Sequence, residues 1–192
     1  MSATNTRALL LREAETLFRT RGYAAFSYAD LSERVGVRKA SIHHHFPTKE
    51  ALGAAFIDDY LERFTSELAT IERRRADARG RLRLYARLFS GGLERGMLPL
   101  CGTLSAGAVT LPESLKARVR RFFDMHLEWL ERTVRDGIAS GQLRSDLDPG
   151  KAALLIFSTV EGASFVAWAL GDNRHVSRAF QQAMTVLGNH RD

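Results

Sequence analysis

Hydrophobic positions recur at three- and four-residue intervals along nearly the whole chain, the spacing of one helical face. Leu10, Ala14, Leu17 and Phe18 share such a face over residues 4–21, and Arg7, Arg12, Glu13 and Arg19 decorate the rest. Gly22 ends that helix, since glycine takes the left-handed C-cap conformation without strain. Ser27 is a good N-cap for a short second helix, with Asp30 near its N-terminus and Leu31 and Val35 facing inward. Gly36 supplies a sharp turn, and Val37 fills the space between this helix and the next. Ile42 and Phe46, four residues apart, bury one face of a third helix over 39–46, which Pro47 ends. Thr48 caps a fourth helix running to about residue 75, with Leu52, Phe56, Tyr60, Phe64, Leu68 and Ile71 in one stripe.

The second half continues in the same period. Residues 91–112 are rich in glycine and small side chains, which predicts short, broken helices. Pro112 opens a long helix to about residue 140, closed by Gly141. Asp148 and Pro149 start another over 150–170, apolar nearly all round, which predicts burial on several sides. Gly171, Asp172 and Asn173 break it, and a last helix covers 174–187. There is no period-two strand signal, internal repeat or low-complexity tract. The pattern predicts an all-α fold of eight to ten helices. Residues 1–48 are expected to form a three-helix domain, with the layout of a helix-turn-helix over 27–52, and residues 49–192 a second, helical domain.

Charge sharpens this. The net charge is +6 and the isoelectric point near 10, which favours a polyanionic partner. A single cysteine, Cys101, excludes an internal disulfide and a cysteine-based metal cluster. The apolar run at residues 8–11 is too short for a signal peptide. No stretch reads as a bilayer span, since Glu161 interrupts the most apolar one; a cytoplasmic location is expected, with no membrane partner. An enzyme is disfavoured: there is no phosphate-binding glycine loop, no nucleophile elbow, and no matched His and Glu spacing. No cofactor is expected.

The third helix carries Arg38, Lys39, Ser41, His43, His44 and His45, and no acid. With Ile42 and Phe46 inside, most of these point outward. Arg38 and Lys39 supply charge for phosphates, Ser41 and the histidines offer polar groups to base edges or phosphates, and Ala40 permits close approach to a groove. Successive helical residues point about 100° apart, so the three histidines cannot converge on one metal ion. A helical adaptor that binds protein is the remaining alternative, and an acid-free, basic helix argues against it. Arg73, Arg74, Arg75, Arg79, Arg81, Arg83 and Arg87 read as a solvated helical face, with a second phosphate contact as the alternative.

An ordered set of residues resembles the TetR family of transcriptional regulators. It comprises Ala14, Leu17-Phe18, Gly22-Tyr23, Phe26-Ser27, Asp30-Leu31, Val35-Gly36-Val37, Lys39-Ala40-Ser41-Ile42, His44-His45-Phe46 and Lys49-Glu50-Ala51-Leu52. The resemblance implies a homodimer, most often a repressor, whose N-terminal helices bind double-stranded operator DNA and whose helical C-terminal domain binds a small-molecule effector. It implies DNA contacts from Lys39, Ala40, His43, His44 and His45, and phosphate contacts from Ser27, Tyr28 and Lys49. His43 departs from the family pattern, which usually has tyrosine there. The resemblance also implies a four-helix dimer interface from the last two helices, which Glu161, Gly162 and Ala163 would suit.

The effector-binding candidates follow the apolar stripes. Phe122, His126 and Trp129 lie at helical spacing, so His126 would be one polar group in an aromatic wall. Phe89, Met125 and Phe165 extend the expected lining, and an apolar or aromatic effector would suit it. A core histidine bonded to a carbonyl is the other reading of His126. Cys101 reads either as a small buried apolar residue or as a thiol sensing electrophiles. Glu161, among Phe157, Phe165 and Trp168, is expected to be buried and to need a partner: an intersubunit arginine, a ligand or a helix cap.

Overall fold

The computed structural model describes residues 3–189, apart from the side chains of residues 3, 4, 101 and 108. Its helices are α1 (Ala3–Arg21), α2 (Tyr28–Val35), α3 (Lys39–His45), α4 (Lys49–Arg74), α5 (Ala78–Glu94), α6 (Leu100–Ala106), α7 (Glu113–Ala139), α8 (Pro149–Leu170) and α9 (Arg174–Leu187). A 3-10 turn, Ala108–Thr110, precedes α7. Among the described residues there is no strand, only an isolated bridge between Leu143 and Gly188. The all-α expectation holds.

Packing divides the chain into two compact units. One comprises the chain up to Arg63 together with Leu100–Phe122; the other comprises Phe64–Pro99 and the chain from Phe123. In the first unit, Leu10, Ala14, Leu17 and Phe18 of α1 are fully buried, as are Leu31, Ile42, Leu52 and Phe56. The Phe18 ring lies 4.8 Å from those of Phe26 and Phe56, so one aromatic side chain joins α1, the connector and α4. Glu15 of α1, nearly buried, accepts from Arg19 at 2.9 Å and from Arg63 of α4 at 2.6 Å. Such a buried carboxylate is tolerated because both oxygens are paired.

In the second unit, α5, α8 and α9 pack pairwise. Their core is Leu82, Tyr85 and Phe89 of α5, Ile156, Phe157 and Val160 of α8, and Val176 and Phe180 of α9, joined by Trp129, Leu130 and Val134 of α7. The expectation that α8 is buried on several sides is only half met. Ala152, Ile156, Val160 and Ala167 face inward, but Leu154, Leu155, Phe165, Val166, Trp168 and Leu170 are exposed. By length and composition α8 also passes as a membrane-crossing helix, contrary to the sequence reading. Its packing on α5 and α9 makes it a core helix of this unit with one face left open.

Candidate nucleic-acid interface and effector core

The helix-turn-helix is locked by local hydrogen bonds. The Ser27 hydroxyl accepts from the Ala29 and Asp30 amides, and Asp30 accepts from the Ser27 amide at 2.7 Å, a reciprocal capping box. The hydrogen bonds from Ser27 hold the Asp30 carboxyl below its ordinary range, and Arg21 at 3.0 Å adds to this. Gly36 has φ of 72°, the left-handed value a tight turn requires. The Ser32 hydroxyl then donates to the Val37 carbonyl at 2.6 Å, pinning α2 to the start of α3.

This framework turns α3 so that Ile42 is fully buried and Phe46 nearly so. Arg38, Lys39, Ala40, His43 and His44 are exposed, and Ser41 and His45 are half-buried. No acid interrupts the array. Arg38 is the N-cap residue of α3; a guanidinium has no acceptor with which to cap the helix, and the residue is exposed. The Nδ1 of His43 lies 3.2 Å from the Pro47 carbonyl. That oxygen only accepts, so Nδ1 carries the proton there, and Nε2 of a neutral ring is left as an acceptor.

Three of the expected phosphate contacts have partners inside the protein. Tyr28 is buried, and its hydroxyl donates to the Phe46 carbonyl at 2.7 Å. Burial pushes its phenol up to about 12. The Ser27 hydroxyl donates to Asp30 at 2.7 Å. Lys49 donates to the Phe26 carbonyl at 2.5 Å, with its ammonium over the Tyr23 and Phe26 rings at 4.6 Å. Burial lowers the Lys49 pKa. These residues tie α2, α3 and α4 together. An ammonium has three donors, so Lys49 keeps capacity for an outside acceptor.

The second unit contains an aromatic core around His126, which is fully buried. Its Nδ1 lies 2.6 Å from the Tyr85 hydroxyl. Its ring is stacked 5.0 Å from Phe157, with Phe64 at 4.4 Å and Phe89 at 6.1 Å. Tyr85 stacks on Trp129 at 5.5 Å. Burial pushes the His126 pKa down to about 3, so the imidazole is neutral under ordinary conditions. The Trp129 indole N–H is buried and has no hydrogen-bond acceptor among the described residues.

The sequence-predicted effector residues are only partly brought together. Phe89, His126 and Trp129 join this cluster, and Met125 lies beside it, 3.1 Å from the Thr65 hydroxyl. Phe122 packs instead on Tyr60 in the first unit, with ring centroids 5.5 Å apart. Phe165 is 37% exposed on the open face of α8 and does not line this core. Cys101 belongs to α6, and its side chain lies outside the described residues. Tyr85, Phe64 and Phe157 were missed. Tyr85 precedes Phe89 by one helical turn, a signal masked by the arginines around them, Arg81, Arg83 and Arg87.

On α8, Glu161 and Ala163 are buried, while Gly162 is exposed and a side chain there would meet open space. Ser158, Gly162, Ala163 and Val166, with Ala179 of α9, line an open groove of about 440 Å³.

Comparison with known proteins agrees with this geometry. Residues 10–56 match the model of the bacterial regulatory proteins of the tetR family. Residues 80–183, more than half the chain, match a tetracyclin repressor-like C-terminal domain. The chain belongs to the TetR family. A TetR-family transcriptional regulator from Agrobacterium tumefaciens has the same fold at a TM-score of 0.94 and 30% identity, over 98% of this chain and 100% of that one. The nucleoid occlusion factor SlmA of Marinobacter nauticus is 30% identical over 83% of this chain and 77% of its own length. The transcriptional repressor DhaR of Mycobacterium sp. is 24% identical over 85% and 82%. As a TetR-family member, this chain is a DNA-binding transcriptional regulator with its helix-turn-helix at the N-terminus.

Proposed function

We propose that this protein is a cytoplasmic homodimeric repressor, without enzymatic activity, that leaves its operator when a small molecule occupies the core around His126. The observation carrying the DNA-binding half is the capped helix-turn-helix, which buries Ile42 and Phe46 and turns Arg38, Lys39, Ala40, His43 and His44 outward with no acid among them. Arg38 and Lys39 engage phosphates, and Ala40, Ser41 and His44 meet base edges. Ser27, Tyr28 and Lys49 act chiefly by fixing the angle of α3, with Lys49 retaining one phosphate contact.

The open face of α8 with α9 is the dimer surface. Leu154, Leu155, Val166 and Trp168 are large apolar side chains left exposed along α8, the kind of surface that marks an interface. Gly162 allows a partner helix to approach, Ala163 supports the same groove, and Phe165 belongs to this surface. Glu161 underlies it from the buried side. Two reading helices would then enter successive major grooves about 34–36 Å apart.

The effector core supports an aromatic or apolar ligand with one hydrogen-bond acceptor. The buried Trp129 indole N–H needs such an acceptor, and the rings of Tyr85, Phe89 and Phe157 make its surroundings aromatic. The test is a mobility-shift assay on the DNA upstream of the protein's own gene. A discrete complex at two protomers per site, lost in Lys39→Ala and His44→Ala double variants that still fold, supports this reading. Binding no tighter than to random DNA of equal length contradicts it.

A further inference from the structure

The arginine-rich segment has a use that neither DNA binding nor dimerisation absorbs. Arg79 and Arg83 stand one turn apart on α5, both exposed, and line a groove of about 280 Å³ together with Phe180, Gln181, Met184 and Thr185 of α9. The composition of that groove is specific. Arg79 and Arg83 line it from α5, and exposed Gln181 and Thr185 with the largely buried Phe180 and Met184 line it from α9. No carboxylate among the described residues lines it. Neighbouring arginines are treated differently: Arg81 is paired with Asp136 at 2.8 Å, and Arg174 clasps Asp172 through two nitrogens. Arg79 and Arg83 form no ion pair among the described residues.

Gly188 leaves room for one guanidinium. Its φ of −70° suits any residue, so its lack of a side chain serves space rather than backbone conformation. A Cβ there would stand 3.2 Å from the Arg79 Nη2 and 2.8 Å from the Met184 carbonyl. The Arg79 amide is bonded to Gln142, which anchors the other end of the residue. The Arg79 side chain therefore lies over the end of α9, beside the groove.

A second copy of this chain is a poor occupant. The faces it would bring are those of α8 and α9, and α9 has no carboxylate while that of α8, Glu161, is buried. Two guanidiniums with no ion pair among the described residues, over an apolar floor, instead complement a planar or tetrahedral oxyanion with a short apolar body. The volume is near the lower bound of small-ligand sites, roughly 300 Å³. We propose that the α5–α9 groove is a binding site for a small organic anion, a carboxylate or phosphate monoester, separate from the core around His126.

The test uses full-length protein carrying 13C-labelled methionine methyl groups, with the Met184 resonance assigned through Met184→Leu. Benzoate, phenyl phosphate and benzamide are titrated to about 10 mM, the weak-binding range. The proposal expects a saturable Met184 shift with at least one of the two anions, none with benzamide, and binding weakened about tenfold or more in Arg83→Gln. The tighter of the two anions identifies the head group. Arg79→Gln repeats the measurement if Arg83→Gln loses its helical circular dichroism. No saturable shift with either anion, an equal shift from benzamide, or unchanged binding in the arginine variants overturns it. A shift that follows protein concentration rather than anion concentration assigns the groove to contacts between copies and also overturns it.

Discussion

His43 shows how one hydrogen bond decides what a side chain offers. Its Nδ1 proton is held by the Pro47 carbonyl, so the neutral ring faces outward with an acceptor, which repels phosphate oxygen. That acceptor suits a base-edge amine rather than a phosphate. His43→Phe, which keeps a ring and loses the acceptor, should therefore cost roughly 1–3 kcal/mol of operator binding in a mobility-shift titration. Unchanged affinity in that variant would remove His43 from the contact. The sequence identified this residue as unusual but could not supply the tautomer, because Pro47 bonds it only once α3 has ended. Tyr28 and Lys49 teach the same lesson. Their partners are the carbonyls of Phe46 and Phe26, and main-chain acceptors leave no mark in a residue pattern.

At the scale of elements, caps and breakers were legible and faces were not. Ser27, Gly36, Asp148 and Gly171 stand where local chemistry predicts, and each makes the expected cap or turn. Ser27→Ala removes acceptors for two amides of α2 and should cost about 1 kcal/mol in urea unfolding. No loss would mean that tertiary packing alone holds α2. Helix α8 was harder. An apolar residue such as Leu154 or Trp168 reads the same whether it meets its own core or a second copy. The structure divides the two sets, with Ile156 and Val160 inside and Leu154 and Val166 open. Gly162→Leu has room within the chain, since nothing lies within 4 Å of its Cβ position. It should leave the helix folded and shift sedimentation equilibrium toward monomer by tenfold or more, about 1.4 kcal/mol. A dimer as tight as the parent's would move the interface off this face.

At the scale of the whole molecule, a buried histidine couples stability to pH. His126 titrates at about 3 in the folded protein and near 6.5 when unfolded, so the unfolded chain binds the extra proton between those values. Stability from this residue is present above pH 6.5 and lost as pH falls through that window, about 2 kcal/mol by pH 5. Urea midpoints at pH 8 and pH 5 should differ less in His126→Phe than in the parent; equal differences would exclude His126 as the source. The sequence marked His126 as one polar group in an aromatic wall, but Tyr85, Phe64 and Phe157 come from other helices and needed the fold to be found.

All of this depends on α3 being the surface that reads DNA. Fluorescence anisotropy with the DNA upstream of the protein's own gene, titrated at several salt concentrations, tests that most directly. Specific binding is expected, its affinity's logarithm falling linearly with that of salt, with a slope shallower by about one unit per protomer in Lys39→Ala. Arg38→Ala should behave alike, while His44→Ala should lose roughly 1–3 kcal/mol of specific binding with little change in slope. Unaltered affinity and slope in Lys39→Ala and Arg38→Ala, with the fold intact, would contradict it.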